Sequence, residues 1–279
     1  MKMGRKIAFQ GELGAFSHAT AVSVFPDDEP LPCVTFEETI GAVQSGAADF
    51  AVVPVENSLY GRITDIHHIL PESGLYIIGE YYLPVRMNLL AVPGATLSDI
   101  KAVQSLSVAL GQCRAFIRKH GLRTINAVDT AGSAREIAQK GEKAVAAIAS
   151  RFAAEIYGLD VLAENIEDAA HNTTRFLIMA REPQTPKSNE QKVKTTFIFR
   201  VRNVPAALYK AMGGFATNGV NMTKLESYMV GGSFTATQFY ADIEGHPDDQ
   251  NVKYALEELG FFSDHIKLLG VYPIADSAP

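Results

Sequence analysis

The chain has no tryptophan, only two cysteines and no long hydrophobic run. Cys33 and Cys113 are too few for a disulfide framework or a structural zinc site, which favours a reducing compartment. No stretch approaches the roughly 18 uninterrupted apolar residues of a transmembrane helix, so we expect no membrane partner. After the basic start at residues 1–6, the apolar run 7–9 is too short for an export signal. We therefore expect a cytoplasmic protein.

Positive charge is also scarce. Lysine and arginine number 25 against 31 aspartates and glutamates, which gives a net charge of −6. Because nucleic-acid-binding proteins usually carry a basic excess, we expect no nucleic-acid partner. The Gly-Lys-Ser/Thr sequence of a phosphate-binding P-loop is absent as well. The length of 279 residues is that of about two globular domains.

Short apolar segments and amphipathic segments alternate through the first two thirds of the chain. This alternation is typical of α/β domains with parallel sheets, whose ligands lie at the carboxyl ends of the strands. We predict an N-cap at Ser17 and helix-ending glycines at Gly141 and Gly158. The predicted strands are 7–9, 50–55, 75–82, 89–92, 144–149 and 174–180. The predicted helices are 17–25, 36–46, 107–118, 131–139 and 151–157.

The last third of the chain has a different pattern. Residues 183–193 are polar and contain Pro186, which is typical of a linker between a domain at 1–182 and a domain at 194–279. A turn at Gly231-Gly232 separates the two middle strands. The order βαββαβ predicts a ferredoxin-like arrangement. Its strands are predicted at 195–201, 222–228, 233–243 and 266–272, and its helices at 206–218 and 252–259.

Three polar segments adjoin predicted strands. Residues 11–17, Gly-Glu-Leu-Gly-Ala-Phe-Ser, could offer N–H groups to an anion, or form an ordinary β–α turn. In residues 54–62, Asn57 could bind a carboxylate or hydroxyl and Glu56 could orient its neighbours, or the segment could be a polar turn. In residues 171–176, Arg175 could bind a carboxylate and the threonines could donate hydrogen bonds, although adjacent threonines also favour strands.

In this order and spacing, the three segments resemble the prephenate dehydratase family from about residue 6 to 180. Residues 194–273 resemble an ACT domain, an amino-acid-sensing module. The resemblance implies a two-lobed α/β catalytic domain similar to type 2 periplasmic binding proteins, followed by the ferredoxin-like module. It implies loss of CO2 and water from prephenate to give phenylpyruvate, with no metal or cofactor. L-Phenylalanine is the expected effector, and a homodimer or homotetramer the expected assembly.

The resemblance, together with the chemistry of the reaction, suggests roles for individual residues. Thr174 is expected to donate to the leaving hydroxyl and Arg175 to hold the side-chain carboxylate of the substrate. The expected catalytic residues are Thr174, Asn57, Ser105 and Gln112. The expected substrate-binding residues are Arg175, Phe176, Thr130, Ser17, Glu56 and Ser58. The expected effector-binding residues are Ala206, Ala207, Leu208, Asn218, Asn221, Glu226 and Ser227.

The sequence departs from the family pattern at three places. Residues 105–108 read Ser-Leu-Ser-Val where the family often has Ser-His-Pro-Gln. In the ACT-like part, Ala206 replaces a glycine and Tyr228 replaces an arginine. A methyl group at position 206 would narrow the effector pocket.

Other functions fit part of the pattern. The same motifs suit an enzyme acting on arogenate, which carries an amino group in place of the keto group of prephenate. The two-lobed fold also suits a solute-binding protein, which the missing export signal disfavours. A catalytically inactive amino-acid sensor is the third alternative. Because the first strand begins at residue 7, we expect no fused chorismate mutase, so prephenate would come from a separate protein.

Overall fold

A computed structural model describes residues 4–188, 191–229 and 236–275 of the protein. The chain divides into two compact units, Met1–Ile69 with Tyr81–Phe176, and Leu70–Glu80 with Leu177–Pro279. The predicted domain boundary at 183–193 stays a prediction. The predicted Gly231-Gly232 turn lies outside the described residues. No helix in the described ranges is long and apolar enough to cross a membrane.

The first sheet has the strand order β2-β1-β3-β11-β5, with the short strand β4 paired to β3. In its parallel part β1 lies between β2 and β3, and one helix follows β1 and another follows β2, so helices connect the parallel strands. The strands are β1 (Lys6–Gln10), β2 (Glu29–Cys33), β3 (Phe50–Asn57), β4 (Gly61–Arg62), β5 (Tyr76–Pro84) and β11 (Thr173–Ala180). The helices are α1 (Phe16–Val24), α2 (Phe36–Gln44), α3 (Thr64–Ile69) and the 3₁₀ turn Leu70–Glu72.

The second sheet has the order β10-β6-β9-β7-β8. Its apolar residues form a separate core around Leu90, Val103 and Ile148. The strands are β6 (Asn88–Ala91), β7 (Ala102–Leu106), β8 (Arg123–Ala127), β9 (Val145–Ala149) and β10 (Asp160–Ala163). The helices are α4 (Ser107–Gln112), α5 (Arg114–Lys119), α6 (Thr130–Lys140) and α7 (Arg151–Tyr157).

Two chain segments connect these sheets, so the catalytic candidate region has two α/β lobes. The segments lie side by side: Val85 N donates to Asn172 O at 2.8 Å and Ile166 N to Met87 O at 2.9 Å. The carboxylate of Glu167 accepts from the Met87 N–H at 2.9 Å. These hydrogen bonds hold the two connecting segments side by side.

The ferredoxin-like prediction is confirmed in the second unit. Its sheet has the order β13-β14-β12-β15, and the printed pairings of β12 with β14 and β15 and of β13 with β14 are antiparallel. Both helices bury apolar residues in a shared core that contains Phe197, Phe215 and Leu259. The elements are β12 (Val193–Val201), α8 (Ala207–Thr217), β13 (Met222–Met229), β14 (Ala236–Glu244), α9 (Gln250–Phe262) and β15 (Ser263–Pro273).

Three local predictions need correction. Helix α1 has Ala15 at its N-cap, so the N-cap prediction for Ser17 was wrong, and Ser17 is buried within the first turn. The predicted helix 107–118 is two helices, because the backbone leaves helical geometry at Cys113. The sheets are mixed: β6 pairs antiparallel with β9 and β10, because the chain enters β6 directly from the other lobe without a crossover helix. Gly141 and Gly158 end their helices in left-handed conformation, as predicted.

Candidate active site

Asn57 and Thr174 lie in contact at one edge of the first sheet. Asn57 is the last residue of β3 and Thr174 is the second residue of β11. Next to them, Ser58 N donates to Thr173 O at 2.9 Å. Asn57 Nδ2 donates to Thr174 Oγ1 at 3.1 Å and to Asn172 Oδ1 at 2.7 Å. The structure thus brings together two residues that are 117 positions apart in the sequence.

The direction of these bonds follows from the backbone. Asn57 Oδ1 accepts from the N–H groups of Leu59 at 3.0 Å and Tyr60 at 3.1 Å. A backbone N–H can only donate, so the amide oxygen must face the turn and both Nδ2 hydrogens face Asn172 and Thr174. Thr174 Oγ1 is therefore the acceptor in its bond with Asn57. Its own hydrogen is not used in that bond and can be donated to another oxygen.

Ser58 forms hydrogen bonds between the same two strand ends. Its hydroxyl donates to His171 O at 2.9 Å and accepts from Thr173 N at 3.0 Å. Both bonds join the end of β3 to the start of β11. Ser58 therefore positions the Asn57–Thr174 pair through the backbone.

Arg175 lies on the other face of the strand from Thr174, because successive side chains alternate along a strand. Its Nη1 donates to Glu56 Oε1 at 2.8 Å, and the Arg175 side chain is only 3% exposed. This ion pair between a buried Arg175 and a partly exposed Glu56 links β3 and β11, and losing Glu56 would leave the buried guanidinium without this partner. The guanidinium charge is thus matched by Glu56 within the protein.

Three candidates lie in the second lobe. Ser105 is fully buried, and its hydroxyl donates to Ile148 O at 2.6 Å between neighbouring strands. Gln112 ends α4, and its buried Oε1 has no hydrogen-bond partner among the described residues. Thr130 begins α6, directly after the N-cap Asp129, whose Oδ1 accepts from Gly132 N at 2.6 Å. The structure places none of the three in a hydrogen bond with Thr174.

The glycine turn 11–17 is bonded internally and to the second lobe. Gly11 N donates to Cys33 O at 2.9 Å, and Gly14 N donates to His18 Nδ1 at 2.9 Å. These N–H groups are therefore not free for an anion, which corrects the anion-binding expectation for them. Ser150 Oγ donates to Gly14 O at 2.8 Å. A Cβ on Gly14 would lie 3.0 Å from Ala153 Cα, so the glycine permits this close approach.

Two further substrate-binding candidates are interior residues. Phe176 is 1% exposed and packs in the core of the first lobe with Phe9 and Val52. Ser17 is buried in α1. A direct role in binding or catalysis is untested for all the site residues and stays a prediction.

The effector candidates lie in the ferredoxin-like unit. Ala206, Ala207 and Leu208 line a cavity of about 240 Å³ at the start of α8. Ala206 has φ 61°, the left-handed conformation that a glycine adopts without strain. The remaining candidates lie elsewhere: Asn218 Nδ2 donates to Glu258 Oε1 at 2.9 Å, Asn221 Nδ2 to Glu244 Oε2 at 3.1 Å, and Glu226 and Ser227 lie on β13.

Asn172 was missed by the sequence analysis. It is 1% exposed, and its buried Nδ2 has no hydrogen-bond partner among the described residues. The available signal was its place in the polar segment 171–176, directly before β11 and two residues before Thr174. A buried donor without an acceptor costs about 1–3 kcal/mol, which marks a position where a ligand atom would be favourable.

Comparisons with known proteins identify the family of the chain. The family model described as prephenate dehydratase matches residues 7–184. The chain is 50% identical, over 96% of both chains, to a bifunctional N-acyl-homoserine lactone acylase/prephenate dehydratase of Komagataeibacter europaeus. It is 40% identical to arogenate dehydratase/prephenate dehydratase 1 of Arabidopsis thaliana, covering 96% of this chain and 72% of that protein.

A solved structure of prephenate dehydratase from Arthrobacter aurescens, in complex with L-Phe, superimposes with a TM-score of 0.89. It is 33% identical, and the match covers 98% of this chain and 91% of that one. The family match spans both α/β lobes, including the edge where Asn57 meets Thr174. The chain belongs to the prephenate dehydratase family.

Proposed function

We propose that the protein converts prephenate to phenylpyruvate, CO2 and water, and that Thr174 assists departure of the ring hydroxyl. The observation that carries this proposal is the hydrogen bond from Asn57 to Thr174, which leaves the Thr174 hydrogen available to a substrate oxygen. Asn172 orients Asn57 through its Oδ1. Thr174 is thus held as a donor at the edge where substrates of α/β folds bind.

The chemistry asks little of the protein beyond positioning. Loss of the ring carboxylate and the opposite hydroxyl makes the ring aromatic, which supplies the driving force. A positioned acid typically contributes ~10²- to 10⁴-fold. Because a threonine hydroxyl is a weak acid, we assign Thr174 hydrogen-bond stabilisation of the departing oxygen rather than full proton transfer. No strong nucleophile is generated.

We further propose that the ferredoxin-like unit is an ACT domain that binds L-phenylalanine, in a cytoplasmic dimer or tetramer. Support comes from the cavity beside Ala206 and from the L-Phe complex of the Arthrobacter relative. Arogenate is the alternative substrate, as the name of the Arabidopsis relative suggests.

The test is an absorbance assay for phenylpyruvate with the full-length protein. Thr174→Ala should lower kcat by about 10²-fold or more with little change in KM. Thr174→Ser, which keeps a hydroxyl, should recover part of the loss. Asn172→Ala should lower kcat by about tenfold, because Asn57 loses the acceptor that orients it.

The matched control is Thr173→Ala, the neighbouring threonine on the opposite face of β11. It should retain most of the wild-type kcat. Full turnover by Thr174→Ala would remove this residue from the mechanism. Failure of the wild type to convert prephenate or arogenate would favour the sensor alternative.

Acylase activity on N-acyl-homoserine lactones is a second candidate function. It is favoured by the 50% full-length identity to a relative named for both activities. Release of homoserine lactone, followed by mass spectrometry, tests it with the same preparation. If Thr174→Ala abolishes dehydration but preserves release, the two reactions use different groups.

A further inference from the structure

A cavity lined by side chains of opposite charge lies between the two lobes. Its volume is about 630 Å³. The first lobe contributes the turn after β1, with Glu12 and Leu13, and the second contributes Asp129, Arg135 and Tyr157. Glu12 Oε1 and Arg135 Nη1 are 3.0 Å apart, and both side chains are partly exposed, 31% and 45%.

This cavity and Thr174 share one edge of the first sheet. Parallel strands β1 and β3 are neighbours, so Gly11, which follows β1, lies on the same side as Asn57, which ends β3. Strand β11 follows next in the sheet. Phe9 pairs with Val52, so Gln10 at the end of β1 is level with Val53, four residues before Asn57. With about 4.8 Å between strands and about 3.3 Å per residue, the end of β1 lies roughly 16 Å from Thr174. Prephenate and arogenate carry the hydroxyl and the side chain at opposite ends of a ring, so a substrate with its hydroxyl at Thr174 places its side chain away from Thr174, on the side of the sheet where this cavity lies.

The side-chain carboxylate needs a cation there. Arg175 is buried, lies on the face of β11 opposite to Thr174 and is bonded to Glu56. Arg135 instead projects from α6 into the cavity, where a guanidinium can hold a carboxylate by two parallel hydrogen bonds. Glu12 is the partner of Arg135 in the absence of substrate.

One carboxylate oxygen of Glu12, the buried Oε2, has no hydrogen-bond donor among the described residues. Rotation about the last torsion of a glutamate is soft, so either oxygen can turn to the cavity. Burial raises the pKa of the Glu12 carboxyl, Arg135 lowers it, and Asp129 and Glu136 raise it. An ammonium group would supply the missing donor and stabilise the charged carboxylate, whereas a keto group can do neither.

Building on the proposed function, we propose that Arg135 and Glu12 form the side-chain subsite, in which Arg135 binds the carboxylate and Glu12 favours an α-ammonium over an α-keto group. The side chain of arogenate places its carboxylate on Arg135 and its ammonium group on Glu12, so each charged group of the substrate has a partner of opposite charge. With a keto acid, Arg135 still binds the carboxylate, but Glu12 gives up its ion pair with Arg135 and no ammonium group replaces it. The subsite therefore discriminates arogenate from prephenate.

The experiment measures kcat/KM for both substrates on the full-length protein. Glu12→Gln should lower the ratio of arogenate to prephenate kcat/KM by about tenfold. Arg135→Gln should raise KM for both substrates by about tenfold or more, and Arg135→Lys should recover part of the loss. Glu12→Asp, which keeps the charge, should stay nearer to the wild-type ratio.

The matched control is Glu164→Gln, which breaks the exposed Arg151–Glu164 pair in the same lobe and should leave the ratio unchanged. Circular dichroism and thermal unfolding verify that each variant is folded. If the wild type turns over its substrates and Glu12→Gln changes both values equally, the subsite is refuted while the proposed function stands. If the wild type turns over neither substrate, both proposals fail.

Discussion

Hydrogen bonds from backbone N–H groups determine the orientation of the Asn57 amide and the protonation state of the His18 ring. Asn57 Oδ1 accepts from Leu59 and Tyr60. His18 Nδ1 accepts from Gly14 N, so this ring nitrogen carries no proton in the folded protein. His18 also stacks on Phe9, with ring centres 5.1 Å apart, and meets Phe152 of the second lobe. Its neutral form therefore supports the glycine turn between the lobes.

Protonation of His18 should destabilise the protein. Burial lowers the pKa of His18 in the folded state, so below about pH 6.5 the unfolded chain binds the proton that the folded chain refuses. The contribution is complete above about pH 6.5 and is lost as the pH falls from there toward the lower folded pKa. Urea unfolding at several pH values should show a falling free energy of unfolding in this window, and His18→Gln should show a flatter dependence. Parallel curves for the two proteins would contradict this role.

Some site residues were predictable from the sequence and others were not. From the order of the motifs we predicted that Asn57 and Thr174 belong to one catalytic site, and the structure places them in contact. The partner of Arg175 is 119 positions away, and no local pattern reveals that Glu56 faces it across two strands. Glu12 and Arg135 meet for the same reason only after both lobes have folded.

At the scale of elements, the central apolar segments were predictable and several edge strands were not. Strand β2 contains Pro30 and Pro32, which lack an N–H and are tolerated at a sheet edge such as this one. Strands β8 and β10 are also edge strands, only five and four residues long, with no fully buried residue in either. Strand β7 is buried but polar at Gln104 and Ser105. The sequences of these strands therefore lack the regular apolar pattern by which strands are recognised.

Strands β15 and β5 approach closely within the second unit, and Gly270 makes this possible. A Cβ on Gly270 would overlap the carbonyl oxygen of Ile77. Gly270→Ala should therefore destabilise the protein by about 1–3 kcal/mol, because backbone must move to admit the methyl group. Gly260→Ala is the matched control, since nothing lies within 4 Å of its added Cβ in α9. That change should be neutral or stabilising by up to about 1 kcal/mol. Chemical denaturation of both variants measures the difference, and equal stabilities would contradict the close approach.

At the scale of the whole molecule, the question is whether the ferredoxin-like unit controls the catalytic lobes. Coupling of this kind requires that L-phenylalanine bind one arrangement of the protein better than another. The cavity of about 240 Å³ beside α8 is the candidate binding place, and Ala206 lines it. Ala206 also has φ 61°, so a substitution at this residue changes both the backbone strain and the shape of the cavity.

L-Phenylalanine should inhibit turnover of prephenate, and Ala206→Gly should strengthen the inhibition. A non-glycine residue at φ 61° costs roughly 1 kcal/mol, part of which a glycine returns in greater freedom of the unfolded chain. The variant should thus be more stable by up to about 0.5 kcal/mol, and without the methyl group its cavity should bind the effector more tightly.

The measurement is the L-phenylalanine concentration that halves the initial rate of each protein, with thermal shift by the amino acid as a readout independent of turnover. L-Alanine, which lacks the ring, is the control ligand. Inhibition that is equal in both proteins would show that Ala206 does not touch the effector, and a wild type that ignores L-phenylalanine would show that this unit senses another ligand or none.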